Sequence, residues 1–297
     1  MKKYDNIKSY KYLISSQRDQ DWGITVNTVG SQTIEKDYKS YPPSTGHPEQ
    51  FFFTTSRGRK LDSYQLLYIA KGKGLFFTSP DNCMEIKEGD MIILRHLWHS
   101  YMPDRKTGWK EYWIGFEGAN MDSRFNNNFI SREQIVFRIG IQDNIVSLYE
   151  QAIKVANDEK SACQQYLAGI ANLILGMTMY YDSNKCFDSA TEEQIDKAKI
   201  IIRENLLNGI TGEEVAARIN MSYSWFRKLF KDYTGVSPAH YILELKIQEA
   251  KQILGGSSMN IKELAFYLDF NDMAYFSKVF KKYTGVTPAE YRKIYLQ

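Results

Sequence analysis

Two short stretches of this sequence offer side chains that can grip a polyanion, provided each is helical. At 100° per residue, Ser224, Arg227, Lys228 and Lys231 share one arc of the first, and Ala274, Ser277, Lys278 and Lys281 share the same arc of the second. Neither arc carries a carboxylate. The chemistry on offer is nucleic-acid recognition. A guanidinium can bridge O6 and N7 of guanine, so Arg227 is the first candidate for direct base readout, with Ser222, Tyr223, Ser224 and Lys228 beside it. On the second arc Ser277 and Lys278 suit base edges or phosphates, and Met273 and Ala274 suit a thymine methyl. Lys231, Lys281 and Lys282 suit phosphates, which position a protein without specifying sequence. Arg292 and Lys293 offer one more backbone contact.

The two stretches are copies. Phe226, Phe230, Tyr233, Thr234, Gly235, Val236, Pro238, Ala239 and Tyr241 recur fifty residues on as Phe276, Phe280, Tyr283, Thr284, Gly285, Val286, Pro288, Ala289 and Tyr291. Self-similarity this dense marks a duplicated structural unit. Phe226, Leu229, Phe230 and Tyr233, like their counterparts, fall at i, i+3, i+4 and i+7, which makes a buried stripe opposite the basic arc. Ser222 and Asp272 are natural N-caps, and Gly235 and Gly285 stand where a left-handed C-cap ends a helix. A shorter helical segment precedes each copy, through Val215-Ala216 and Leu264-Ala265. The intervening turn requires a positive φ, which Asn220 and Asp269 tolerate. The plan is helix-turn-helix, twice. A single basic arc reads as a solvated lysine face; two, each after a helix and a turn, read as recognition helices. Ser237 and the N1 residue Pro238 open a helix to Leu254, roughly 25 Å long. Such a rod can hold two recognition helices about one turn of B-DNA apart.

These residues resemble the DNA-binding domain of the AraC/XylS family of transcription regulators. The resemblance covers the C-terminal hundred residues and rests on Ile261-Lys262-Glu263-Leu264-Ala265, Phe270-Asn271-Asp272, Tyr275 to Lys282, and Thr284-Gly285-Val286-Thr287-Pro288-Ala289-Glu290-Tyr291-Arg292. Where Asp269 stands, that family usually has glycine.

Composition supports two or more domains in 297 residues and argues against a bulk-charge account of nucleic-acid binding, since the net charge is only +3. The argument rests on where the charges lie. Three widely spaced cysteines, Cys83, Cys163 and Cys186, argue for a reducing compartment rather than a disulfide framework. The N-terminus lacks the apolar core of a signal peptide, and the apolar run Leu167–Tyr181 is too short to span a bilayer. A cytoplasmic protein with no membrane partner is expected.

Residues 1–22 read as a polar, tyrosine-rich arm. From Gly23 to about Gly118 short alternating runs imply strands at Ile24–Val29, Gln50–Thr54, Tyr64–Ala70, Gly74–Thr78, Cys83–Ile86, Asp90–Leu94 and Glu111–Phe116, punctuated at Tyr41-Pro42-Pro43, Gly72-Lys73-Gly74, Ser79-Pro80-Asp81-Asn82 and Gly89-Asp90. That pattern gives a sandwich or barrel. From Tyr64 through His99-Ser100-Tyr101 to Tyr112–Gly118 the order resembles the cupin-like ligand-binding domain of the same family. The resemblance implies a small-molecule effector, such as a sugar, with Arg57, His99, Tyr101 and Trp113 as its contacts and Trp109 nearby; Glu111 and Trp98 are further candidates to face the cavity. Arginine can fork onto hydroxyls, and an aromatic face suits the apolar side of a pyranose. His96-x-x-His99 is too sparse a pattern for a metal site, so no metal, cofactor or catalysis is expected.

From Gln142 to Tyr181 the period turns helical, with stripes at Ile145, Leu148, Tyr149 and Ala152 and at Tyr166, Ile170, Leu173, Ile174 and Met177, broken at Asn157–Lys160. The resemblance implies that these helices pair two protomers. The expected organisation is an arm and cupin-like β-domain over 1–140, a helical segment over 141–181, a linker over 182–190 and a DNA-binding domain over 191–297. The fold class is α+β: a cupin-like barrel with flanking helices, then an all-α double helix-turn-helix of seven helices. The functional expectation is a sequence-specific transcription regulator that binds double-stranded promoter DNA as a homodimer, answers to a small molecule, and can contact RNA polymerase. The alternative is a constitutive regulator whose β-domain serves only dimerisation or partner binding.

Overall fold

The computed structural model describes residues 9–42, 54, 57–185 and 187–295. They divide into two compact units, one within residues 1–185 and the other within residues 186–297. No helix among the described residues is long and apolar enough to cross a membrane.

The first unit holds β1 (Ser9–Tyr12), a helical turn α1 (Gln17–Gln20), β2 (Thr25–Ile34), β3 (Tyr64–Ser79), β4 (Asn82–Lys87), β5 (Asp90–Leu94), β6 (Ser100–Pro103), β7 (Trp109–Glu117), α2 (Ala119–Asn126), β8 (Val136–Arg138), α3 (Asp143–Asp158) and α4 (Cys163–Asn184). The strands pair antiparallel in the order β1-β2-β7-β3-β5-β8, while β4 and β6 flank the second half of β3. Alternation assigns the two faces. Leu66, Tyr68, Tyr112, Ile114 and Phe116 point outward into a core shared with Ile145, Tyr149, Ala152, Leu167 and Ile174 of α3 and α4. Leu67, Ile69, Trp109 and Trp113 point the other way, into a separate interior with Phe76, Leu94 and Tyr101.

Several expectations change here. Within the described part of the arm, β1 pairs with β2, and α1 is closed by a capping box from Ser16. The Gly72-Lys73-Gly74 segment is not a turn but the middle of β3. The register slips between Ile69 and Lys71 and Gly72 adopts φ +84°; a Cβ there would lie 2.3 Å from the Gly108 carbonyl. Glycine in this strand thus marks a bulge and a close backbone approach. The expected strand at Gln50–Thr54 falls outside the described residues except for Thr54. A second bulge breaks β2 between Val26 and Thr28, and the buried Gln164 of α4 answers it, donating to the Val26 carbonyl at 2.9 Å and accepting its N–H at 3.0 Å. On α4 the expected stripe straddles two faces: Ile170 and Ile174 are buried, but Tyr166 and Leu173 are about half exposed. The helix also runs to Asn184, so part of the expected linker is helical.

The second unit is α-helical: α5 (Ser189–Glu204), a 3-10 turn (Leu206–Asn208), α6 (Gly212–Arg218), α7 (Tyr223–Thr234), α8 (Pro238–Gly256), α9 (Ile261–Tyr267), α10 (Met273–Thr284) and α11 (Pro288–Tyr295). Asp188 caps α5, accepting from the Thr191 N–H, and Thr211 and Thr287 form capping boxes with Glu214 and Glu290. Two cores result. One gathers Ile195, Ala198, Val215, Phe226 and Phe230, the other Ile247, Ala250, Leu264, Phe276 and Phe280. Helix α8 serves both, with Ile242 in the first and Leu254 in the second.

Candidate functional site

Each recognition helix is set by a left-handed turn. Asn220 and Asp269 both adopt φ +57°, so that α6 leads into α7 and α9 into α10 through the short turn of a helix-turn-helix. The C-terminal ends are fixed by Gly235 and Gly285, both at φ +82°. Phe226, Leu229 and Phe230 are buried on α7, and Phe276, Val279 and Phe280 on α10. The opposite arcs are therefore presented to solvent. Ser224, Arg227, Lys228 and Lys231 are exposed, as are Met273, Ala274, Lys278, Lys281 and Lys282; Ser277 is half-buried.

At the N-terminal ends the copies differ. Asp272 caps α10 by accepting the Tyr275 N–H at 2.8 Å. Ser222 makes no capping bond and is exposed, so its hydroxyl can meet a phosphate. Tyr223 is half-buried in the first core, its ring so close to Gly212 that a Cβ there would lie 2.9 Å away; it orders α7 against α6 more than it faces solvent. Arg292 is turned inward to the Met259 carbonyl, which leaves Lys293 as the outward cation of α11.

Sequence reasoning passed over Trp225 and Tyr275. They occupy equivalent positions beside the basic arcs and are 54% and 55% exposed. The Lys228 ammonium stands 5.9 Å from the Trp225 ring centre. The signal was present: an aromatic recurs at this position in both copies, out of register with the buried stripe.

The second site is the interior of the β-domain. A small cavity of about 40 Å³ is lined by Tyr12, Thr28, Gln32, Tyr41, Arg59 and Gln65 together with Pro42, Tyr101, Glu111 and Trp113. Its arginine is Arg59, not Arg57. Arg59 pairs its backbone with His99 in both directions, at 2.9 and 3.0 Å, and its guanidinium donates to His99 Nε2 at 3.2 Å and to the Tyr101 hydroxyl at 2.7 Å. Arg57 is exposed, and its carbonyl accepts from the Trp98 indole. The two arginines are only two residues apart and spacing does not separate them; the isolated bridge to His99 decides between them.

His99 Nδ1 lies 2.9 Å from the Leu97 carbonyl, which makes it the donor and leaves Nε2 to accept from Arg59. Burial, helped by the Arg59 charge, pushes this imidazole down to about 3, so it is neutral. Its ring lies nearly parallel to those of Phe76 and Tyr101, with ring centres 6.3 and 6.2 Å away. Glu111 is buried, accepts from the Tyr41 hydroxyl at 3.0 and 3.1 Å, and is pushed up to about 8 by burial, against the Tyr41 bond and the Arg59 charge. Trp113 lines the cavity and donates to the Thr28 hydroxyl at 3.3 Å. Trp109 stands behind it, edge-on to Tyr41 at 5.5 Å, and its indole N–H finds no acceptor among the described residues. His96 points to Tyr64 instead, so the His96 and His99 rings do not converge.

The two units have separate counterparts among known proteins. The AraC-like ligand binding domain matches residues 41–168, and a helix-turn-helix domain matches residues 215–294. The chain is 28% identical over 216 residues to the raffinose operon transcriptional regulatory protein of Pediococcus pentosaceus, covering 71% of this chain and 78% of that one. It is 24% identical over 257 residues to the Msm operon regulatory protein of Streptococcus mutans, covering 85% and 86%. Against the lactose operon transcription activator of Staphylococcus xylosus it is 27% identical over 213 residues, covering 69% and 74%. Sensor domain and paired recognition helices agree: the chain is no enzyme but belongs to the AraC/XylS family of DNA-binding transcription regulators.

Proposed function

We propose that a sugar held in the β-domain cavity controls the binding of α7 and α10 to promoter DNA. The observation that carries this reading is the lining of that cavity. A forked donor (Arg59), a buried carboxyl (Glu111), two amides (Gln32 and Gln65) and an indole face (Trp113) meet in one space. Ring hydroxyls need several donors and acceptors at fixed angles, while the apolar face of the ring needs an aromatic wall. Relatives named for the raffinose and lactose operons support the same ligand class. Tyr12 of β1 also lines the cavity, so an occupied cavity acts on the N-terminal strand and shifts the population of states.

On the DNA side, Arg227 reads a base, and Ser224, Lys228, Ser277 and Lys278 assist. Lys231, Lys281 and Lys282 hold phosphates, and Trp225 and Tyr275 flank the arcs. Helix α8, with 19 residues, is roughly 28 Å long, which suits recognition helices in successive major grooves.

The protein acts as a homodimer through α4. Its exposed face repeats at heptad spacing: Tyr166, Gly169, Leu173, Gly176 and Tyr180 carry no charge, and the space beyond both glycines is open. An uncharged a/d seam with glycines allows a second helix to approach closely. Thermal-shift measurement against galactosides, glucosides and uronic acids tests the effector reading. Stabilisation by a neutral sugar that also changes DNA affinity is expected. A regulator that binds operator equally with every sugar, and melts unchanged, would be constitutive.

A further inference from the structure

Among the described residues, the second helix-turn-helix contains an ion pair that the first lacks. Lys246 of α8 is buried, yet its ammonium reaches the turn between α9 and α10. Nζ donates to the Asp269 carboxylate at 2.9 Å and to the Asp269 carbonyl at 3.1 Å, and it lies 5.5 Å from the centre of the Phe270 ring. On its other side the Asp269 carboxylate meets the loop that leads into α6: a Cβ built on Gly209 would lie 3.1 Å from Asp269 Oδ2. Phe270, itself buried, packs 5.1 Å from Phe276 of α10. One carboxylate thus joins the connecting helix, the turn that aims α10, and the entrance to the first helix-turn-helix.

The first copy supplies a control. Its turn residue, Asn220, has the same φ of +57°. Setting Ile195 and Ala198 of α5 against Ile247 and Ala250 of α8 matches Gln194 to Lys246. Among the described residues no hydrogen bond joins Gln194 to Asn220. A left-handed turn therefore does not require a charged pair; glycine or asparagine suffices. A largely desolvated ammonium is costly without its partner, so the pair constrains geometry beyond what the turn alone demands.

We propose that Lys246 and Asp269 are positioning residues that fix α10 relative to α8, and so set the distance at which the second DNA block is read from the first. This rests on the reading that α7 and α10 enter successive grooves.

The test selects duplexes from a randomised library with the full chain as wild type, Asp269→Gly and Lys246→Met. Glycine suits φ +57° and methionine keeps the buried stem of Lys246, so both variants should fold; circular dichroism and thermal melting check that. Wild type should select two blocks about one helical turn apart. Both variants should retain the first block and lose the second or spread its spacing. Their affinity for the wild-type two-block duplex should fall about tenfold, while affinity for a duplex carrying the first block alone stays unchanged. Variants that select the same blocks at the same spacing with unchanged affinity would overturn the proposal. So would equal weakening of both blocks with a lowered melting temperature, which would make the pair a stability contact only. A wild type that selects a single block removes the two-groove reading, and the proposal with it.

Discussion

The Tyr41 hydroxyl donates to both oxygens of the Glu111 carboxyl, at 3.0 and 3.1 Å, inside a cavity that also holds the Arg59 guanidinium. Burial keeps the Glu111 carboxyl protonated until about 8, whereas in the unfolded chain it ionises near its ordinary value of 4.5. The folded state therefore binds the extra proton, and its stabilising contribution is present at low pH and lost as pH rises through about 8. His99, held down at about 3 against 6.5 in the unfolded chain, acts in the opposite sense, but only below about 6.5. Of these two groups, only Glu111 acts between about pH 6.5 and 8. The melting temperature of the sugar-free β-domain, followed by calorimetry of the whole protein, should fall over that window, and Glu111→Gln should flatten the slope. An unchanged slope in the variant contradicts the buried, protonated carboxyl.

Arg59 and Arg57 are separated by one experiment. Arg59→Met removes the donor to His99 and Tyr101 and should abolish the thermal shift given by a sugar that stabilises wild type. Arg57→Met should leave that shift within about twofold in apparent affinity. Equal losses in both would return Arg57 to the site.

Much of the fold was legible in the sequence for one physical reason: the helix-turn-helix encodes its geometry locally. The buried stripe, the turn residues Asn220 and Asp269, and the C-cap glycines sit within a few residues of the contacts they make. The cavity was less legible because strands fix neighbours through register. Nothing near Arg59 announces that His99 lies opposite it, and the bulges at Gly72 and Asn27 reset which residues face inward. Gln164 shows the limit most plainly. Its partner Val26 lies on the far side of the domain in sequence, and no local pattern marks a glutamine that closes a strand defect.

The left-handed turns make a stability prediction. Asn220 sits at φ +57°, a conformation that costs an ordinary L-residue about 1–2 kcal/mol. Asn220→Ala should lower unfolding free energy by about that amount, and Asn220→Gly should change it little, as read by urea denaturation. A destabilised glycine variant would show that the asparagine side chain, not its backbone tolerance, matters.

The seam on α4 predicts oligomeric state. Leu173 is 51% exposed and Gly176 faces open space, so Leu173→Glu or Gly176→Arg should leave folding intact. Sedimentation velocity should then show a dimer for wild type and a monomer for either variant. A Leu173→Glu protein that remains dimeric would place the interface elsewhere.

The most direct test of the central claim is a salt titration of binding to a selected duplex and to a random duplex, with wild type beside Arg227→Ala. Arg227 is exposed on the arc of α7, and loss of a bidentate base contact is worth about 1–3 kcal/mol of discrimination. The variant should lose affinity for the selected duplex while its binding to random DNA and its salt slope fall only by the share of one cation. If wild type binds both duplexes equally at every salt concentration, or if Arg227→Ala weakens both alike, the recognition helices hold phosphates without reading sequence.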